Sequence, residues 1–221
     1  MSASNLTLAT LRDRVEQLLS DTGNAIWAEG DIDAAIRQAL AEYSKVNRLR
    51  AITTSTLSAD TRELDISTVT GLLGVERVWY PYTVATPEHP PDWRHFEHWR
   101  DAEILYFPDD AELQNGEIAR IFYTKVQTLS GLDSATATTF PVDDDELLSQ
   151  GAAGYAASGR SLDLMEEVTL DRLTSQQIRA WGLSKLQEFR AGLRVVKSRL
   201  ALAGTGIIAQ PGLDKWDGDW S

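Results

Sequence analysis

Three histidines fall in one short stretch, His89, His95 and His98, with Asp92 and Glu97 among them. Imidazole and carboxylate are zinc-ligating groups. His95 and His98 would face one way on a helix. The local pattern is strand and loop, where positions three apart point to opposite sides. No second ligand motif accompanies them, so they read as surface-loop residues and no metal is expected. Gly204-Thr-Gly206-Ile-Ile-Ala209 matches the dinucleotide fingerprint by letters. It follows a helical pattern rather than a strand, so no nucleotide cofactor is expected. Ser158 precedes Gly159 but lacks glycines two residues away on either side, as a nucleophile elbow requires. Asp214, Asp217 and Asp219 miss the calcium-loop spacing. With 33 carboxylates in the chain, no acid pair stands out for hydrolysis. The chain reads as a non-enzyme without cofactor.

Two other groups of residues are suited to binding. The first is the segment 205–221. Ile207, Ile208, Leu213, Trp216 and Trp220 are interleaved there with Asp214, Asp217 and Asp219. Disordered tails are poor in aromatics. Apolar anchors along an acidic stretch suit a segment that orders on a partner; a terminus whose tryptophans tuck back on the body is the other reading. The second group is Trp79, Tyr80, Tyr82, Trp93, Phe96, Trp99, Tyr106 and Phe107. A carbohydrate-binding face could look like this, but aromatics at alternating strand positions are more often core.

Composition bounds the answer. The chain has 221 residues, 43% of them hydrophobic, enough to bury a real core. It lacks cysteine, which excludes disulfides and thiolate metal sites. The first 20 residues show neither a basic nor an apolar signal region, so no signal peptide is read. No apolar run approaches membrane-spanning length, and no membrane partner is expected. A formal net charge of −12 argues against wrapping nucleic acid, which needs a basic footprint.

The elements follow from periodicity. Leu8, Leu11, Val15, Leu18 and Leu19 form a helical stripe over 7–20. Ile32, Ile36, Leu40 and Tyr43 continue at steps of four, behind Glu29, Asp31 and Asp33 at a helix start. Trp27 should staple onto this second helix, making 7–47 a helical hairpin. From Ala51 the period becomes two. Residues 52–66 read as a β-hairpin, 75–82 as a strand with Val75, Arg77 and Trp79 on one side, and 93–99 as pairing with 103–107. Residues 117–126 are a last strand, giving five or six strands as a meander or small sandwich. Residues 128–142 read as loop. Asp143, Asp144, Asp145 and Glu146 read as the acidic first turn of a helix over 144–164. That helix carries Gly151, Ala152, Ala153, Gly154, Ala156, Ala157 and Gly159. Glycine in a helix interior costs about 1 kcal/mol relative to alanine, and close helix–helix approach is what offsets it. The partner is either the chain's own long helix or a neighbouring copy. That long helix spans 174–202. It starts at a Thr174/Gln177 capping box, stops at Gly204 and Gly206, and carries Ile178, Trp181, Phe189, Leu193, Val196 and Leu200 on one face.

The fold class expected is therefore α+β. A helical bundle (5–50 and 140–204) with a long C-terminal helix carries an inserted small antiparallel β domain (51–127), followed by an extended C-terminal tail (205–221).

This order of elements resembles the head–tail connector (adaptor, head-completion) proteins of tailed phages over residues 5–202. Trp27-Ala-Glu-Gly-Asp31-Ile-Asp33 and Ala39-Leu40-Ala41-Glu42-Tyr43 are similar to their opening hairpin. Val75-Glu-Arg-Val-Trp-Tyr-Pro81 resembles their β segment. Phe140-Pro141, Leu147-Leu148 and Gly151-Ala-Ala-Gly-Tyr-Ala-Ala157 resemble their loop and third helix. The motifs are structural and degenerate, and their order carries the resemblance; the segment beyond 204 departs from the pattern. The resemblance implies a homo-oligomeric ring, commonly twelvefold, in the virion neck between the portal of the capsid and the tail. Such a ring extends a DNA channel without binding DNA specifically, and is made in the host cytoplasm. It implies a C-terminal segment reaching the portal, here with Ile207, Ile208, Leu213, Trp216 and Trp220 as anchors. For subunit contacts we expect Gly151, Gly154 and Ala157, with Arg179, Arg190, Arg194 and Arg199 pairing the acidic surface. Another virion structural role, such as tail completion or a minor capsid component, and a carbohydrate-binding or enzymatic domain using the aromatic β region, are the competing classes.

Overall fold

The computed structural model describes residues 4–21, 26–57, 61–85, 91–108, 113–166 and 172–204. The fold is α+β: among the described residues there are four α-helices, the last of them long, and two small antiparallel sheets. Two compact units divide it. One comprises residues up to Asn47 and from Leu129 onward; the other is Arg48–Thr128.

The helical unit contains α1 (Leu8–Leu19), α2 (Glu29–Val46), α3 (Asp145–Glu166) and α4 (Arg172–Gly204). Thr7 caps α1 by accepting the Thr10 N–H on its hydroxyl at 3.3 Å. Ser20, in the left-handed region at φ 57, ends it. Glu29 and Asp31 sit in the first turn of α2, where the helix dipole favours negative charge. Trp27 is 4% exposed, and its indole N–H donates to the Ala156 carbonyl of α3 at 3.2 Å. Its anchor is therefore α3 as well as α2.

The hub of this unit is α3, which touches α1, α2 and α4. Ala152, Ala153 and Ala157 are fully buried along it, with Leu148 beside them. Small side chains let three helices approach one, and this explains a stripe that a two-helix pair would not need. On α4 the expected face is present. Leu186, Phe189, Leu193 and Val196 are buried, and Ile178, Trp181 and Leu200 pack half-buried at the same core. At 1.5 Å per residue the 33 residues of α4 extend about 50 Å. The helix begins at Arg172, so Thr174 lies inside it rather than at its cap.

Among its described residues the second unit holds seven strands: β1 (Leu49–Thr56), β2 (Glu63–Asp65), β3 (Leu72–Trp79), β4 (Trp93–Arg94), β5 (Glu97–Trp99), β6 (Ile104–Tyr106) and β7 (Ile118–Lys125). One sheet runs β1-β7-β3-β4, the other β2-β6-β5. Residues from both form one core, including Leu64, Leu105 and Phe107 from one side and Val78, Ile121 and Tyr123 from the other. The expected 52–66 hairpin is not formed. β1 pairs along its whole length with β7, from Leu49↔Lys125 to Thr56↔Ile118, while β2 pairs with β6 in the other sheet. Alternation sets which side chains point inward, and it holds for any partner. The β5–β6 pairing matches the one expected for 93–99 and 103–107, but β4 pairs instead with β3. On β3 one side assignment changes: Val75, opposite the core residue Tyr123, leaves the side it was expected to share with Arg77 and Trp79. Register shifts at Leu72/Gly74 and Val75/Arg77 break the phase. Val78 faces the core opposite Ile121, and Trp79 lies on the outer face opposite Arg120.

Candidate interaction surfaces

The side chains with chemistry first show what the chain spends internally. Tyr43, fully buried on α2, donates to Asp144 Oδ2 at 2.5 Å and accepts from Asn47 Nδ2 at 2.6 Å. Arg199 Nη2, from α4, donates to both Asp144 oxygens at 2.9 and 2.7 Å. The Asp144 side chain is 4% exposed. It sits at the end of the 3₁₀ turn Val142–Asp144 that leads into α3. Burial, then the bond to Asp144, pushes the Tyr43 phenol well above its ordinary value, so it stays a donor. The acidic run at 143–146 is thus more than a solvated first turn, since Asp144 ties three elements together. This arrangement offers no open face to a substrate; its chemistry is structural.

Arg12 of α1 donates from Nε and Nη2 to the two oxygens of Asp33 on α2, both at 2.6 Å, and from Nη1 to Glu29 at 2.9 Å. The bond to Asp33 raises the guanidinium further. Glu42 of α2 accepts from the Tyr155 hydroxyl of α3 and from Arg190 Nε of α4 at 3.2 Å. Burial, then that carboxylate, raises the Tyr155 phenol.

The expected subunit-contact residues therefore separate. Gly151, Gly154 and Ala157 are buried inside the chain. A Cβ at Gly151 would lie 2.8 Å from the Phe189 ring, and one at Gly154 3.0 Å from the Leu186 backbone nitrogen and 3.1 Å from the Gly182 carbonyl oxygen. The close approach is to the chain's own α4, which corrects the assignment of these three residues to a neighbouring copy. Arg190 and Arg199 pair with Glu42 and Asp144 of the same chain. Arg179 and Arg194 are exposed, and together with Lys197 they have no ion-pair partner among the described residues. Beside them stand Leu183, 47% exposed, and Val195, 68% exposed. Over its full length α4 carries seven basic side chains against one acidic, Glu188, in a chain of net charge −12. Its outward side is basic and partly apolar.

The second surface is the outer face of the β1-β7-β3-β4 sheet. Antiparallel partners share a side. The register therefore puts Phe122 between Ile52 and Arg77, and Arg120 between Thr54 and Trp79, with Trp93 next to Trp79. The Arg77 guanidinium lies 5.3 Å from the Trp93 ring centre. Arg120 lies 4.9 Å from that of Tyr82 and 5.4 Å from that of Phe122. Trp79 is covered by this layer at 4% exposure, whereas Ile52 is 51% and Trp93 41% exposed. Periodicity put Arg77 and Trp79 on one side of β3, but not which side faced the core, and it could not supply their neighbours Ile52, Arg120 and Phe122, which come from strands distant in sequence.

Other features are smaller. A cleft of about 430 Å³ in the helical unit is lined by Trp27, Asp31, Gln38, Tyr155 and Arg160 among others. Trp99 stacks on Tyr106 at 4.8 Å with an interplanar angle of 10°. Tyr80 and Phe107 are core residues. His95 is exposed, and His98 Nε2 stands 3.5 Å from Glu103. Among the described residues no group of three or more His, Asp or Glu is placed to hold a metal ion, and no helix is long and apolar enough to cross a membrane. His89 and the anchors Ile207, Ile208, Leu213, Trp216 and Trp220 lie outside the described residues.

No family model and no curated protein matches the chain. Among solved structures it is similar to a chain of "Neck of empty GTA particle computed with C6 symmetry", with a TM-score of 0.33 and 15% identity, over 70% of this chain and 80% of that one. A likeness of this size carries no argument about function, and none is drawn from it.

Proposed function

We propose that this chain is a virion structural protein, one subunit of an oligomeric ring adaptor between the portal of a tailed-phage capsid and the tail. The reading rests on the order of sequence motifs resembling connector proteins. The structural observation that carries it is the outward side of α4. Arg179, Arg194 and Lys197 are unpaired there among the described residues, and Leu183 and Val195 stand out into solvent. A basic, partly apolar helix face on an acidic chain is complementary to acidic surface on another copy. Contact between two different patches of one chain is heterologous, and a heterologous contact that closes makes a ring. Catalysis has no part in this mechanism. An acidic wall would let DNA pass without adhering.

The test is the mass of the purified chain by light scattering, alone and with purified portal. A large stoichiometric complex is expected, and Arg194→Glu with Val195→Asp should lower its mass while leaving the melting profile of the chain unchanged. A chain that stays monomeric at every concentration and ignores portal would remove this reading.

A further inference from the structure

The outer sheet face is a built surface without a partner among the described residues. In a chain of net charge −12 it carries Arg50, Arg77 and Arg120, with one acidic neighbour, Glu76, 3.4 Å from Arg50. Arg77 lies against the Trp93 ring, and that stacking leaves guanidinium N–H edges available to carboxylates. Ile52, Trp93 and Phe122 supply apolar area between the cations. The chemistry that fits is an acidic segment with aromatic anchors.

The sequence contains such a segment. Residues 205–221 carry Asp214, Asp217 and Asp219 against one cation, Lys215, and place Trp216 and Trp220 between and beside the acids. Seventeen residues reach up to about 55 Å when extended, against about 25 Å for an eight-residue strand. The segment is therefore long enough to cross the whole sheet. We propose that residues 205–221 of this chain dock on the outer face of the β1-β7-β3-β4 sheet, the tryptophans against Ile52, Trp93 and Phe122 and the aspartates on Arg77 and Arg50. This is a different destination from the portal expected for the same segment. It stands apart from the ring reading, because binding of the segment to one chain requires neither ring nor portal.

The experiment uses the full chain with its own segment disabled by Trp216→Ala and Trp220→Ala. A fluorescein-labelled peptide of residues 205–221 is titrated with it and followed by anisotropy. Saturable binding is expected, weakened about tenfold by Arg77→Glu or by Ile52→Asp, and weakened in 1 M salt, where charge is screened within about 3 Å. Arg77 and Ile52 are exposed on different strands, so two variants probe the face independently, and unchanged melting profiles show that each retains its fold. A peptide carrying Asp217→Lys should lose affinity for the parent chain and regain it for the Arg77→Glu chain. No binding overturns the proposal. So does equal affinity for parent and both variants, or binding of the peptide to purified portal but not to this chain.

Discussion

Replacing Gly151 by alanine should destabilise the helical unit, although alanine is the better helix former. The new methyl would lie 2.8 Å from one Phe189 ring atom and 2.9 Å from two more. Carbon atoms rest at about 3.5–4.0 Å, so the ring must retreat by roughly 0.7 Å or more. Phe189 is fully buried and belongs to the main core, so the retreat displaces its neighbours. Overpacking of this kind costs about 1–3 kcal/mol, while removing a helical glycine returns about 1 kcal/mol. The net expectation is a loss of up to about 2 kcal/mol. Gly159 is the control. It is exposed on the same helix, and a Cβ there meets nothing within 4 Å, so Gly159→Ala should gain about 1 kcal/mol. Urea unfolding followed by far-UV circular dichroism gives both values from midpoints at constant slope. Equal stabilisation by the two substitutions would refute the packing account of the α3 glycines. Gly154→Leu, a natural probe of subunit contact, should for the same reason disrupt the chain itself before any assembly.

Arg199→Met leaves Asp144 buried without its cation and should cost about 3–5 kcal/mol; denaturant titration checks it, and a loss under about 1 kcal/mol would mean that the Arg199–Asp144 pair contributes little to the fold. Tyr43, Tyr80 and Tyr155 all have phenols raised above the ordinary value. The folded state therefore keeps protons that the unfolded chain releases, and stability should be complete below about pH 10 and fall as pH rises above it. Tyr43→Phe should flatten that alkaline fall, at a cost near neutral pH of about 1–3 kcal/mol for leaving Asp144 and Asn47 without the hydroxyl. Arg12→Ala removes the paired bonds to Asp33 and should cost about 1–2 kcal/mol, less in 1 M salt because the Arg12 side chain is 25% exposed; a salt-independent loss would point to packing of its stem.

Much of the helical unit was legible because burial imposes a period on it. Leu11 and Val15, Ile32 and Ile36, Phe189 and Leu193 fall where a 3.6-residue repeat puts them. What the period leaves open is the identity of the neighbour. The α3 small residues announced a close approach without saying to which helix, and the answer is Phe189, Leu186 and Gly182 of the same chain. The strands show the same division. The threonine and β-branched residues of 52–57 marked β1 as a strand, but its partner β7 lies far along the sequence, beyond the reach of any local turn signal. Asp144 was the least legible residue. An acidic run before a helix reads as dipole capping, and nothing local shows that Tyr43, 101 positions away, and Arg199, 55 away, converge on one carboxylate. The sheet face was half legible: alternation put Arg77 and Trp79 on one side of β3, but the strands that lay Ile52, Arg120 and Phe122 beside them are distant in sequence.

The distribution of cations links these observations. The chain has 21 Lys and Arg for 33 Asp and Glu, so a cation placed at random would find an acid nearby. Arg12, Arg37, Arg190 and Arg199 do, each closing a bond between two elements of the helical unit. Arg179, Arg194 and Lys197 on α4 do not among the described residues, and Arg77 and Arg120 on the sheet rest on aromatic rings instead. Leaving cations uncompensated on a chain this acidic gives up attraction that the fold could have used internally. Solubility does not require it, since a net charge of −12 already keeps copies apart. Association does, because like-charged copies meet at short range only where local charge opposes the global sign. The α4 face and the sheet face are the two places where the described residues satisfy that condition, and in both the cations stand beside exposed apolar side chains that association would remove from water.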